Sequence, residues 1–163
     1  MSDCNYSACA VLGKQVEKFN YRVDNNIKAM NEIFDLLKMI YKSGVKDFYC
    51  NCQQGIVMWI ALSIIKLRKI YEDVNLHIVL PWEGQSDNWD EDMKKMFSDI
   101  ISLGDSVEIL RSGYEYSEFM CYKYGEKYMI DRSGILLTDE DNVGVSYAQG
   151  RGLKIICYKC ELC

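Results

Sequence analysis

Residues 48–80 read FYCNCQQGIVMWIALSIIKLRKIYEDVNLHIVL, and the fold follows from how this stretch divides. Phe48-Tyr49-Cys50 is a short β-like run. From Gly55 an almost unbroken apolar segment extends as a helix to about Tyr71. Lys66, Arg68 and Lys69 fall in its last turns, where cations suit the helix dipole. Leu76-His77-Ile78-Val79-Leu80 is a strand again, ended by Pro81. A strand, a helix and a second strand in succession predict parallel pairing with the helix packed on the sheet.

The same alternation continues outward. Upstream, Ala8-Cys9-Ala10-Val11-Leu12 is a compact apolar strand ending at Gly13. Between 25 and 42, Ile27, Met30, Ile33, Phe34, Leu37, Ile40 and Tyr41 recur at helical spacing, with Asp24 as expected N-cap and Ser43-Gly44 as stop. Downstream the expected elements are a helix over 90–103, a strand over 107–110 and a Tyr-rich helix over 116–130. A strand over 134–138, one or two helical turns over 144–149 and a strand over 153–157 complete them. The reading is an α/β chain: one three-layer Rossmann-like domain over 1–163, with a mainly parallel sheet and helices on both faces. Strands three, two and one are expected side by side with strand five beyond strand one, and the place of strand four is open.

Composition narrows the partners. The 163 residues are 49% hydrophobic and 26% charged, ordinary for a globular domain, with a net charge of -5. That acidic balance argues against a nucleic-acid partner, which needs a basic stripe. The first ten residues carry no secretory pattern, and the apolar run 56–65 is too short to span a bilayer. A cytoplasmic protein with no membrane partner is expected, and a homo-oligomer is compatible with the composition. Its 8 cysteines are then expected mostly as thiols.

In such a sheet ligands collect beyond the carboxyl ends of the strands, so the loops there carry the chemistry. Gly13-Lys14-Gln15 follows strand one, a glycine for close approach and a lysine for charge, or simply a turn. Asn51-Cys52-Gln53-Gln54-Gly55 leads into a helix start, where backbone N–H groups attract anions and Asn51 or Gln53 either meets a sugar or caps the helix. After strand three, Trp82 and Trp89 flank Gln85 and other polar residues, suited to stacking on a base or to packing over the domain's own edge. After strand five the acidic run Asp139-Glu140-Asp141, a poor phosphate cradle, precedes Gly144, Val145 and Ser146, whose amides are further candidates. Neither a Walker loop nor a GxGxxG fingerprint is present, and no cofactor is expected.

Taken in order, these runs resemble the YpsA-type branch of the SLOG superfamily, nucleotide-binding Rossmann-like proteins related to LOG phosphoribohydrolases and the DprA core. The likeness rests on residues 9–13, residues 55–61, Leu80-Pro81 with Gln85 and Trp89, and residues 128–137. It covers nearly the whole chain. The polar positions depart from the family pattern. Leu12-Gly13 stands for Thr-Gly, Asn51-Cys52 for Ser-Gly and Val57 for an acid. Likewise Gly144-Val145-Ser146 stands for Gly-Gly-Thr and Gly125-Glu126 for Arg-Asn. The resemblance implies binding of a nucleotide or a derivative such as an ADP-ribose-like molecule. Phosphate is then expected at Gly13 and Gly55, with Gly144 to Ser146 closing over it and Asn51, Gln53 and Trp82 on sugar or base.

Two other classes compete with a binder used for sensing or sequestration. One is a nucleotide N-glycosidase, for which Glu83, Glu126 and Asp131 are the candidate carboxylates, although no catalytic set is framed. The other is a degenerate scaffold acting through protein contacts. His77, the only histidine, sits mid-strand and is expected to be structural. Cys157, Cys160 and Cys163 have a metal-like spacing, but a strand end and a loose tail account for them, so no metal is expected.

Overall fold

The computed structural model describes residues 7–14, 27–111, 117–139 and 144–158. Its elements are β1 (Ala8–Val11), α1 (Ile27–Lys42), β2 (Asp47–Cys50), α2 (Ile56–Arg68), β3 (Asn75–Leu80) and α3 (Glu91–Leu103). Then come β4 (Ser106–Ile109), α4 (Glu118–Asp131), β5 (Ile135–Thr138), α5 (Gly144–Gly150) and β6 (Lys154–Cys157). Among the described residues the strands form one parallel sheet in the order β4-β3-β2-β1-β5-β6. This is the expected α/β class of Rossmann-like build, and it places strand four at the edge beyond β3.

Alternation along the strands makes the three layers. Cys9 and Val11 of β1 join a core with α1, α2 and α3, while Ala10 of β1 and Leu12 just after it join a second core with α4 and α5. Ile33, Leu37 and Ile40 of α1 are buried at helical spacing. Nearly every residue of α2 from Ile56 to Leu67 is buried, because it lies over the sheet between α1 and α3. That placement explains a helix apolar all round.

Boundaries shift where caps decide them. Asp90 and Ser117 lie outside their helices, their side chains accepting the Met93 N–H at 2.9 Å and the Met120 N–H at 3.3 Å. The last expected turn of the second helix tightens into i→i+3 bonds after Arg68 (Lys69 N–H to Lys66 carbonyl, 3.2 Å). The expected cap Asp24 and residues 140–143 lie outside the described residues.

His77 is in the middle of β3 and joins three strands. Its Nε2 meets Asp47 Oδ1 and its Nδ1 meets Ser106 Oγ, both at 2.7 Å, and its ring stacks on Tyr49.

Candidate functional site

Chain order and sheet order part company at β1. From β1 the strands build outward to β4, and the chain then returns to lay β5 on the other side of β1. The crevice beyond the carboxyl ends of β1 and β5 is the switch point at which α/β sheets hold ligands. The residues that follow β1, β2 and β5 therefore form its floor.

Gly13 is buried there and is already approached from within. A Cβ on it would come within 2.5 Å of the Tyr158 hydroxyl, 2.7 Å of Ile56 Cγ2 and 3.0 Å of Val57 Cγ2. Tyr158 is held in place by donating to the Leu12 carbonyl at 2.7 Å. The backbone N–H of the exposed Lys14 donates to Asp139 Oδ2 at 2.9 Å, so a carboxylate of the chain itself bridges β5 to the loop after β1.

The loop after β2 is tight and buried. Cys52 has φ of 53° and Gly55 φ of 112°, the second a conformation that favours glycine. Asn51, fully buried, accepts the Gln53 N–H on its Oδ1 at 3.0 Å, which forms an Asx turn. Its carbonyl accepts Nε2 of the buried Gln85 at 2.9 Å, and this ties the loop after β3 to the loop after β2. The Cys52 thiol is held well above its usual range by its hydrogen bond with Cys50, with burial adding to the effect. It is an inert, buried thiol rather than a nucleophile.

Polar atoms are buried at this edge without partners among the described residues: Asn51 Nδ2, Thr138 Oγ1, Asp139 Oδ1 and Gln85 Oε1. Each unpaired buried group costs about 1–3 kcal/mol. Such a cluster is therefore an unusual expense for a fold and marks a place where hydrogen-bonding partners belong.

Beside this floor lies a cleft of about 810 Å³, lined by Gln53 from the loop after β2 and by Ser117, Phe119, Tyr122, Lys123 and Glu126 among others from the start of α4. The Glu126 side chain is only 12% exposed and takes Lys123 Nζ at 3.2 Å. Burial pushes its carboxyl above the ordinary glutamate range, Lys123 offsets part of this, and the nearby Asp139 charge adds to it. Burial likewise raises the Tyr122 phenol, with Glu118 reinforcing it and the Gln85 amide beside it opposing.

Of the residues singled out from sequence, Gly13, Lys14, Asn51, Cys52, Gln53, Gly55 and Gln85 gather around this edge. Trp82 packs edge-on against Tyr122 with ring centroids 5.2 Å apart. Gly144, Val145 and Ser146 open α5, where Gly144 is buried, Val145 packs into the second core and Ser146 is exposed. Tyr122, Thr138 and Tyr158 carry no motif that would have drawn attention to them. Asp139 did, as the head of the acidic run. Gln15, Cys160 and Cys163 lie outside the described residues. Among the described residues no cluster of His, Cys, Asp or Glu is arranged to hold a metal, and no helix is long and apolar enough to cross a membrane.

A family model described as the YspA SLOG family (YpsA) matches residues 17–150. A UPF0398 protein of Halalkalibacterium halodurans is 29% identical over 108 residues, 64% of this chain and 56% of that protein. A UPF0398 protein of Staphylococcus epidermidis is 27% identical over 107 residues, again 64% and 56%. One from Staphylococcus aureus is 24% identical over 108 residues, 64% of this chain and 57% of that protein. The matches thus span a little over half the length of these relatives.

Proposed function

The chain belongs to the YspA SLOG family, and on that footing we propose that it binds a nucleotide or nucleotide derivative at the carboxyl edge of its sheet, as a sensor or a sequestering protein. The observation that carries this reading is the set of buried polar atoms at the ends of β2 and β5, on either side of β1, that have no partner among the described residues. A fold tolerates such atoms where a bound molecule supplies the missing hydrogen bonds. The adjoining cleft, about 810 Å³, is of the size that holds small ligands. The acidic balance of the chain favours a small molecule over a nucleic acid. The cytoplasm, where its thiols stay reduced, is part of the same proposal.

The test is a thermal-shift panel under reducing conditions, with AMP, ADP, NAD, ADP-ribose, adenosine and a short single-stranded DNA. A ligand at a hundred times its Kd adds about 2.7 kcal/mol, roughly 5–10 °C here. One nucleotide-type compound giving that shift supports the proposal. A flat panel from folded, ligand-free protein counts against it.

A second reading, nucleotide N-glycosidase activity, is favoured by one feature. Glu126 is a carboxyl with a raised pKa, paired with a lysine and lining the cleft, the condition in which a side chain acts as general acid. Release of free base from a nucleoside monophosphate, lost in Glu126→Gln, is its signature.

A further inference from the structure

We infer that the site is built for an unphosphorylated nucleoside and discriminates against the corresponding nucleotide; this rests on the nucleotide-site reading above. Phosphate binding at a switch point uses the backbone beyond the first strand, through a glycine that lets the anion come close and N–H groups that point at it. Here both are taken. The approach to Gly13 is filled by the Tyr158 hydroxyl, Ile56 and Val57, within 2.5 to 3.0 Å of where a Cβ would stand. The Lys14 N–H already serves the Asp139 carboxylate at 2.9 Å. An anion seat exists, and the protein's own carboxylate sits in it.

Charge points the same way. The Asp139 charge adds to the raised pKa of Glu126, and Glu126 and Glu118 both line the adjoining cleft. Lys123, the lysine lining that cleft, is committed to Glu126 at 3.2 Å. A phosphate dianion entering this crevice meets like charges in a partly desolvated setting, which disfavours it.

The atoms without a partner among the described residues show what fits instead. Asp139 Oδ1 is a pure acceptor, Thr138 Oγ1 both donates and accepts, and Asn51 Nδ2 is a pure donor. Asn51 and Thr138 are fully buried. A dianionic phosphate offers acceptors only and leaves Asp139 Oδ1 unsatisfied. A ribose offers vicinal hydroxyl donors to the carboxylate and the threonine, and a ring or base acceptor suits the Asn51 amide. These atoms fit a sugar diol, which a nucleoside and its 5′-monophosphate share; the filled approach to Gly13 and the Asp139 carboxylate on the Lys14 N–H are what make the neutral nucleoside the chemical class.

Isothermal titration of the full chain with adenosine, guanosine, cytidine and uridine, each beside its own 5′-monophosphate, decides the matter. At least one nucleoside is expected to bind about tenfold or more tightly than its monophosphate, the scale of one charge-assisted hydrogen bond. Asp139→Asn, which keeps the shape and removes the charge, is expected to weaken nucleoside binding and narrow or reverse that ratio. Thr138→Val is the second variant should Asp139→Asn fold poorly, and it too is expected to weaken the nucleoside. A monophosphate that binds more tightly than its nucleoside overturns this inference and leaves the nucleotide site standing. No binding by any of these compounds overturns this inference, and the nucleotide-site reading then stands or falls with ADP, NAD and ADP-ribose in the thermal-shift panel.

Discussion

Asp139 Oδ2 accepts the backbone N–H of Lys14 at 2.9 Å, joining residues 125 positions apart across the crevice between β5 and β1. This bond ties the described start of the loop after β1 to the end of β5. Removing the carboxylate in Asp139→Ala should expose the Lys14 amide, and its hydrogen-exchange rate is expected to rise on the order of tenfold. An unchanged rate would mean that another group holds the loop.

Thr138 ends β5 fully buried, with no partner for its hydroxyl among the described residues. Valine has nearly the same shape without the polar atom. Thr138→Val should leave the unliganded protein as stable as the wild type or up to about 1 kcal/mol more stable, while its ligand-induced thermal shift shrinks. Loss of stability in urea unfolding would show that the hydroxyl is satisfied and its ligand role unnecessary.

Glu126 carries a pH signature. Burial raises its folded-state pKa above the ordinary value of 4.5, so the folded chain keeps this proton longer than the unfolded chain does. Stability from this group is therefore present below pH 4.5, falls as pH rises through the raised folded value, and stays lower above it. Glu126→Gln removes the cost of burying the charge and keeps an amide oxygen that can accept from Lys123. The variant is expected to gain on the wild type between pH 4 and pH 8 in urea titrations, and a gap that closes with rising pH would refute this.

Gly55 precedes α2 with φ of 112° and ψ of -142°, a region open in practice only to glycine. Gly55→Ala should cost about 1–3 kcal/mol through backbone strain alone. A fall of that size in unfolding free energy with circular-dichroism-visible helix retained is the expected result. A neutral substitution would show that the loop relaxes freely.

What the sequence made legible was periodicity. The helical spacing of the apolar residues in α1 predicts a buried face, where Ile33, Leu37 and Ile40 are buried, and the unbroken apolar runs of β1 and α2 match elements buried almost throughout. Strand four could not be placed because its pattern says nothing of its neighbours. Ser106–Ile109 turns out to be an edge strand exposed along its length. The site resisted for a related reason. Its contacts, Lys14 with Asp139 and Tyr158 with the Leu12 carbonyl, join residues over a hundred positions apart, and only the register of β5 and β6 brings them together. Asp139 reads from sequence as one more acid in a loop. Its significance is positional, and position is a property of the sheet.

The most direct measurement is a titration of isotope-labelled protein with adenosine and with its 5′-monophosphate, followed by amide chemical shifts. A carboxyl-edge site requires the perturbed amides to cluster at Lys14, Asn51 to Gln53, Thr138, Asp139 and the first turns of α4. Perturbations confined to another surface, such as the exposed edge of β4, or none with either compound, would contradict it.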